Sequence, residues 1–144
     1  MRAERKQEKV VYRDVTVYVA DDGTEFKTAW ECERYEHEQV YMPLLAKLQR
    51  CDEMEGYPNF DGQEYAEHHD YSWYFIRDLN DLEIINKVYP DTTDVHLSER
   101  YIGKWMCIET DDDGNGWAST VDDGIEYATG ILTKLGYKVQ ITKE

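Results

Sequence analysis

The sequence predicts an α+β fold. An N-terminal β-hairpin with a long kinked helix or helix pair is followed by a small β-α-β-α-β unit on a mainly antiparallel three-stranded sheet. Three observations carry this prediction. Apolar and polar residues alternate over 10–27 about an Asp22-Gly23 turn, and alternation returns with aromatics over 71–77 and with aliphatics over 102–110. Over 29–53 and 121–135 the apolar residues recur instead at helical intervals.

Taken in order, residues 1–9 are charged, lack apolar periodicity and read as a frayed tail. Val15, Val17 and Val19 fall on one face of a strand, Asp22-Gly23 supplies the positive φ angles of a tight turn, and residues 24–27 return. Thr28 and Glu31 have capping-box spacing ahead of Trp30, Tyr35, Tyr41, Leu44, Leu45 and Leu48. Pro43 lacks a backbone donor, so the helix kinks or breaks there. Residues 56–70, with Pro58 and Gly62, read as a loop or hinge between 1–55 and 71–144, the whole forming one compact domain.

Residues 71–77 read as an aromatic strand, with Trp73 and Phe75 on one face and Tyr74 and Ile76 on the other. Asn80 is positioned to cap a short helix that Pro90 ends, and a polar loop over 91–100 leads to a strand at 102–110. A turn at 111–116 precedes the helix at 121–135, which Gly136 stops in a left-handed conformation. Tyr137 to Thr142 alternates again and reads as a closing strand, giving three strands with helices on one face.

Charge narrows the function. Thirty-one Asp and Glu stand against 16 Lys and Arg, a net charge of −15. Such a surface repels phosphate backbones and attracts basic partners at long range. Direct nucleic-acid binding is therefore not expected, and a basic protein partner is. Cys32, Cys51 and Cys107 are odd in number and lack C-x-x-C spacing, which argues for reduced thiols in a cytosol. The charged first nine residues hold no signal-peptide core, and no apolar run is long enough for a membrane span. The expected location is cytoplasmic.

The most specific local motif is D-D-D-G-N-G-W-A-S-T-V-D over 111–122. Asp111, Asp113, Asn115, Ser119 and Asp122 occupy the oxygen-ligand positions of a calcium loop, with Gly116 at its sharp turn. Against that, the twelfth residue is Asp rather than Glu, and a strand precedes the loop. An acidic turn leading into a helix accounts for the pattern better, so no metal is expected. His68, His69 and Asp70 are adjacent on an extended segment and point alternately to opposite faces, which disfavours a zinc site. No G-x-S-x-G, phosphate loop or dinucleotide fingerprint occurs. Neither catalysis nor a cofactor is expected. Tyr71, Trp73, Tyr74, Phe75, Tyr101, Trp105 and Trp117 crowd the second half, where one face fills a core and the other is free to stack on a ligand.

The segment Tyr18-Val19-Ala20-Asp21-Asp22-Gly23-Thr24-Glu25-Phe26, followed by Cys32 and Tyr35-Glu36, resembles a recurrent opening of small phage-encoded proteins. The resemblance covers residues 18–36 alone and carries no catalytic residue. It implies a phage or mobile-element protein acting in a bacterial cytoplasm. Small acidic phage proteins in turn resemble anti-defence factors such as anti-CRISPR proteins, which implies inhibition of a basic nuclease or effector by acidic patches that imitate DNA. The candidate acids are Glu53, Glu55, Asp61, Glu64, Glu67 and Asp70 in the central segment, and Asp111, Asp112, Asp113, Asp122 and Asp123. An alternative likeness, to phage sponges for nucleotide immune signals such as those opposing Thoeris, implies stacking on Trp73, Tyr74 or Trp105 with phosphate held by Arg77 or Arg100. Self-association is compatible with either.

Overall fold

The computed structural model describes residues 1–7, 14–60, 68–90, 92–93 and 99–144. The structure is mixed helix and sheet, and its chain divides into two compact units, Met1–Lys47 and Leu48–Glu144.

The first unit is a three-stranded antiparallel sheet, β1 (Arg2–Gln7), β2 (Asp14–Val19) and β3 (Glu25–Phe26), with helical structure beside it. The expected frayed tail is therefore a strand, in register from Arg2 opposite Val19 to Gln7 opposite Asp14. Its charged side chains pair on the surface, Arg2 with Glu4 and Lys6 with Glu25. Residues 10–13, expected to open β2, lie outside the described residues. The turn also differs from the tight two-residue form. Gly23 N–H donates to Ala20 O and Ala20 N–H to Thr24 O, so Asp21 and Asp22 are central and Gly23, at φ 92°, follows them as the left-handed residue.

Thr28 caps α1 (Ala29–Tyr35), its side chain accepting from Glu31 N–H. The helix then widens into a π-helical segment, Glu36–Tyr41, and tightens into 3-10 turns, Met42–Lys47. Met42 N–H reaches back to His37 O just before Pro43, which has no N–H to give. The helical run is not continuous to 53: it stops at Lys47, Gln49–Arg50 is extended as strand β4, and a single 3-10 turn follows at Asp52–Met54. Cys32 is fully buried, and burial raises its thiol pKa above the usual value, as suits a packing residue. Glu36, 3% exposed, accepts from Asp21 N–H at 2.8 Å and lies 2.8 Å from the Met1 ammonium.

The second unit is organised by a five-stranded sheet in the order β4-β5-β7-β8-β6, where β5 is His69–Ile76, β6 Thr92–Thr93, β7 Lys104–Asp111 and β8 Gly116–Thr120. Only β6 runs parallel to its neighbour. Two of the sheet's strands, β5 and β7, are the expected ones, and the short edge strands β4 and β6 and the strand β8 were not expected. The anticipated closing strand over 137–142 is absent, and residues 137–144 form no strand or helix. The turn between β7 and β8 repeats that of the first unit. Gly114 N–H donates to Asp111 O and Asp111 N–H to Asn115 O, with Gly114 at φ 84°.

α2 (Leu79–Val88) is capped by Asp78 and not Asn80; Asp78 Oδ1 accepts from Asp81 N–H at 3.0 Å. It ends just before Pro90, as expected. The even-numbered sheet face, with Tyr74, Ile76, Met106 and Ile108, forms the core together with Leu82, Ile85 and Val88, and Tyr74 and Tyr89 bring their hydroxyls within 3.4 Å. α3 (Val121–Lys134) begins with a complete capping box between Thr120 and Asp123. It closes with Gly136 N–H on Thr133 O and Tyr137 N–H on Leu132 O, the paired bonds of a Schellman motif. Val121, in the first turn of α3, packs with Tyr71, Trp73 and Cys107 on the odd-numbered face. The two helices therefore do not share one face.

Candidate functional site

Alternation along the central strands puts His69, Tyr71 and Trp73 of β5, Cys107 and Glu109 of β7, and Trp117 and Ser119 of β8 on one face. The register aligns them: Tyr71 opposite Glu109, Glu109 opposite Trp117, and Cys107 opposite both Trp73 and Ser119. Residues 51–60 cover the Trp73 end. Trp73 Nε1–H donates to Tyr57 O at 2.9 Å, and Asn59 Nδ2 donates to Ser119 Oγ and to Thr120 O, both at 2.8 Å. Beside this cover lies a cavity of about 450 Å³, lined among others by Asn59, His69, Glu109, Trp117 and Ser119. That volume falls in the range of small-ligand sites.

Glu109 forms the floor. Its side chain is 11% exposed, and Oε1 lies 3.0 Å from Nδ1 of His69. An ionised carboxylate only accepts, so this contact assigns the His69 proton to Nδ1 and leaves Nε2 as an acceptor in the neutral ring. The His69 ring stacks on Trp117, with centroids 5.8 Å apart and planes 12° from parallel, while Trp117 stays 42% exposed. A carboxylate, an imidazole nitrogen and a hydroxyl thus converge beside an aromatic wall. The site is rich in acceptors.

Its rim is acidic. Asp111 pairs with His69 across the strands and Asp112 and Asp113 follow it in the turn, while Asp70, between His69 and Tyr71, is at the same end of the sheet on the opposite face. Partial desolvation of Asp111 opposes its ionisation, but hydrogen bonds from the Asn115 side chain and from the Asn115 and Asp113 backbone N–H groups outweigh it, and its pKa lies below the usual carboxylate value. Asp70 and Asp113 have no cationic partner among the described residues.

The other expected acids are scattered. Glu55 pairs with Arg50 at 2.5 Å, Asp122 with Lys104 at 3.1 Å and Asp123 with Arg100 at 3.1 Å, while Glu53, two residues before Glu55, is exposed. Asp61, Glu64 and Glu67 lie outside the described residues. The calcium-loop spacing is not a loop in space. β8 carries Asp122 to the Lys104 end of β7, while Asp111 closes the other end, roughly 20 Å away at strand rise. Among the described residues no three His, Cys, Asp or Glu side chains are grouped to hold a metal ion.

The alternative stacking set is divided as well. Trp73 and Trp105 are on the pocket's face of the sheet, whereas Tyr74 is fully buried on the other. Arg77 is held by Asp81, and Arg100 by Asp123 and over the Tyr101 ring. The residues that sequence reasoning did not combine are His69, Glu109 and Trp117. Recognising 116–120 as a strand would have placed Trp117 beside Glu109, but small residues and a preceding glycine-rich turn hide it.

Compared with family models, with curated proteins and with solved structures, the chain matches none.

Proposed function

We propose that this chain is a binding module that docks a basic protein partner and receives one of its arginine side chains in the sheet pocket. The observation that carries the reading is the convergence of the deep-set Glu109 carboxylate and the His69–Trp117 stack under an acidic rim. A guanidinium is planar, rich in donors, always charged and weakly hydrated, so it suits both the carboxylate and the aromatic wall. The net charge of −15 steers such a partner from a distance. In the setting that residues 18–36 suggest, the partner is a nuclease or other effector of a bacterial defence system, and docking inhibits it. The paired state of Glu55, Asp122 and Asp123 favours this local capture over imitation of DNA by a continuous acidic strip.

An arginine-rich peptide and its citrulline counterpart separate the outcomes. The arginine peptide is expected to bind, to quench Trp117 and to weaken as salt rises. Citrulline keeps the shape and loses the charge, so its peptide is expected to bind at least about tenfold more weakly, as is the arginine peptide with Glu109→Gln or Trp117→Ala. Equal affinity for the two peptides, or an unchanged affinity in Glu109→Gln, removes the reading.

A further inference from the structure

α3 leaves half of its apolar side chains uncovered. Its one buried residue is Gly124, while Tyr127, Ile131 and Leu132 are exposed. A shallow groove of about 390 Å³ runs along this face, lined by Asp123, Glu126, Tyr127, Gly130, Ile131 and Lys134. Residues 123, 127, 130 and 134 follow each other at steps of four, three and four, the spacing of a helix seam that faces another helix.

Gly130 has no role within its own unit. It lies mid-helix with an ordinary φ, and a Cβ added there meets nothing within 4 Å. Alanine would favour the helix more, so the glycine leaves space for something outside. The charges along the groove say what. Asp123 and Glu126 stand at its N-terminal end and Lys134 at its C-terminal end. A helix with that order of charge is complementary to its own antiparallel copy.

We propose that the α3 groove is the interface of a two-fold dimer, occupied by α3 of a second copy. A two-fold axis passing between residues 128 and 129 sets Lys134 of each copy opposite Asp123 of the other, with Glu126 less than one helical turn further along and within a lysine's reach. It also sets the Tyr127 ring of each copy over the partner's Gly130, where the missing side chain leaves room. An isologous contact requires this self-complementarity. Like net charges oppose association at long range and are screened by salt, so dimerisation strengthens as salt rises. Docking of a basic partner has the opposite dependence, which keeps this inference independent of the proposed function.

Sedimentation velocity on the full chain at low and high salt tests the interface. The native protein is expected to dimerise, more tightly in 500 mM than in 50 mM sodium chloride. Lys134→Glu alone and Glu126→Lys alone each set like charges against one another, and each is expected to weaken the dimer at least about tenfold. An equimolar mixture of these two variants restores opposite charges at both contacts and is expected to dimerise again. Both positions are exposed, and circular dichroism checks that the helix persists. A native protein monomeric at high salt and about 100 μM, or two variants whose mixture behaves as each does alone, overturns the proposal.

Discussion

Asp81→Ala lowers the melting temperature of the second unit by roughly 10–20 °C, a loss of about 2–3 kcal/mol. Asp81 is 1% exposed, yet it carries a charge, and three donors explain why it is tolerated. Arg77 presents its backbone N–H at 2.9 Å, Nε at 2.9 Å and Nη2 at 3.0 Å, a fork across both carboxylate oxygens. Truncation takes this acceptor from the part-buried Arg77 backbone N–H and strips a charged partner from the guanidinium. Burial opposes ionisation of Asp81, but the Arg77 contacts outweigh it and the folded-state pKa falls below the usual carboxylate value. The stabilisation is therefore complete above the unfolded carboxylate pKa of about 3.9 and is lost as pH falls through the lower folded value. Asp81→Asn, which cannot ionise, is expected to be less stable than the native chain at neutral pH and to approach it below about pH 4. Thermal melts followed by tryptophan fluorescence in a Trp30→Phe background report the second unit alone, since the other three tryptophans lie there and Trp30 is 65% exposed. A native-like melt for Asp81→Ala would show that the fork adds nothing.

What the sequence disclosed was whatever a single element states about itself. Trp73 and Tyr74 alternate in β5 as adjacent strand residues must, Thr28 caps α1, and Gly136 ends α3 in the left-handed region. What it hid depends on pairing between elements. β1 is polar on both faces, so it carries no period-2 apolar signal, and its identity as a strand comes from lying along β2. The 137–142 segment shows the reverse case. Val139 and Ile141 alternate as a strand would, but β4 and β6 form the sheet's edges and the segment pairs with neither. The pocket was the least legible feature. His69, Glu109 and Trp117 come from three strands and meet only because of a register that no local spacing encodes. The Asp111 to Asp122 pattern looked like a site because it is local, and β8 separates its two ends.

Gly124→Ala is expected to destabilise the second unit by about 2 kcal/mol, although alanine is the better helix former by about 1 kcal/mol. A Cβ at position 124 would lie 2.0 Å from Oδ1 of Asn59 and 2.8 Å from its Cγ. Asn59 has little freedom to yield. It is 5% exposed, its Nδ2 donates to Ser119 Oγ and Thr120 O, and its Oδ1 accepts from Phe60 N–H at 2.8 Å. Displacing the side chain breaks bonds worth about 1 kcal/mol each, and that loss exceeds the gain in helix propensity. The same movement withdraws Asn59 from the pocket wall, so Gly124→Ala should also weaken arginine-peptide binding without touching Glu109 or Trp117. A double-mutant cycle isolates the cause. Asn59→Ala alone costs about 2 kcal/mol through its lost bonds, but it removes the obstructing amide. In that background Gly124→Ala is expected to be neutral or stabilising by up to about 1 kcal/mol, so the two effects are strongly non-additive. Equal destabilisation by Gly124→Ala with and without Asn59 would mean that the glycine is required by something other than this contact.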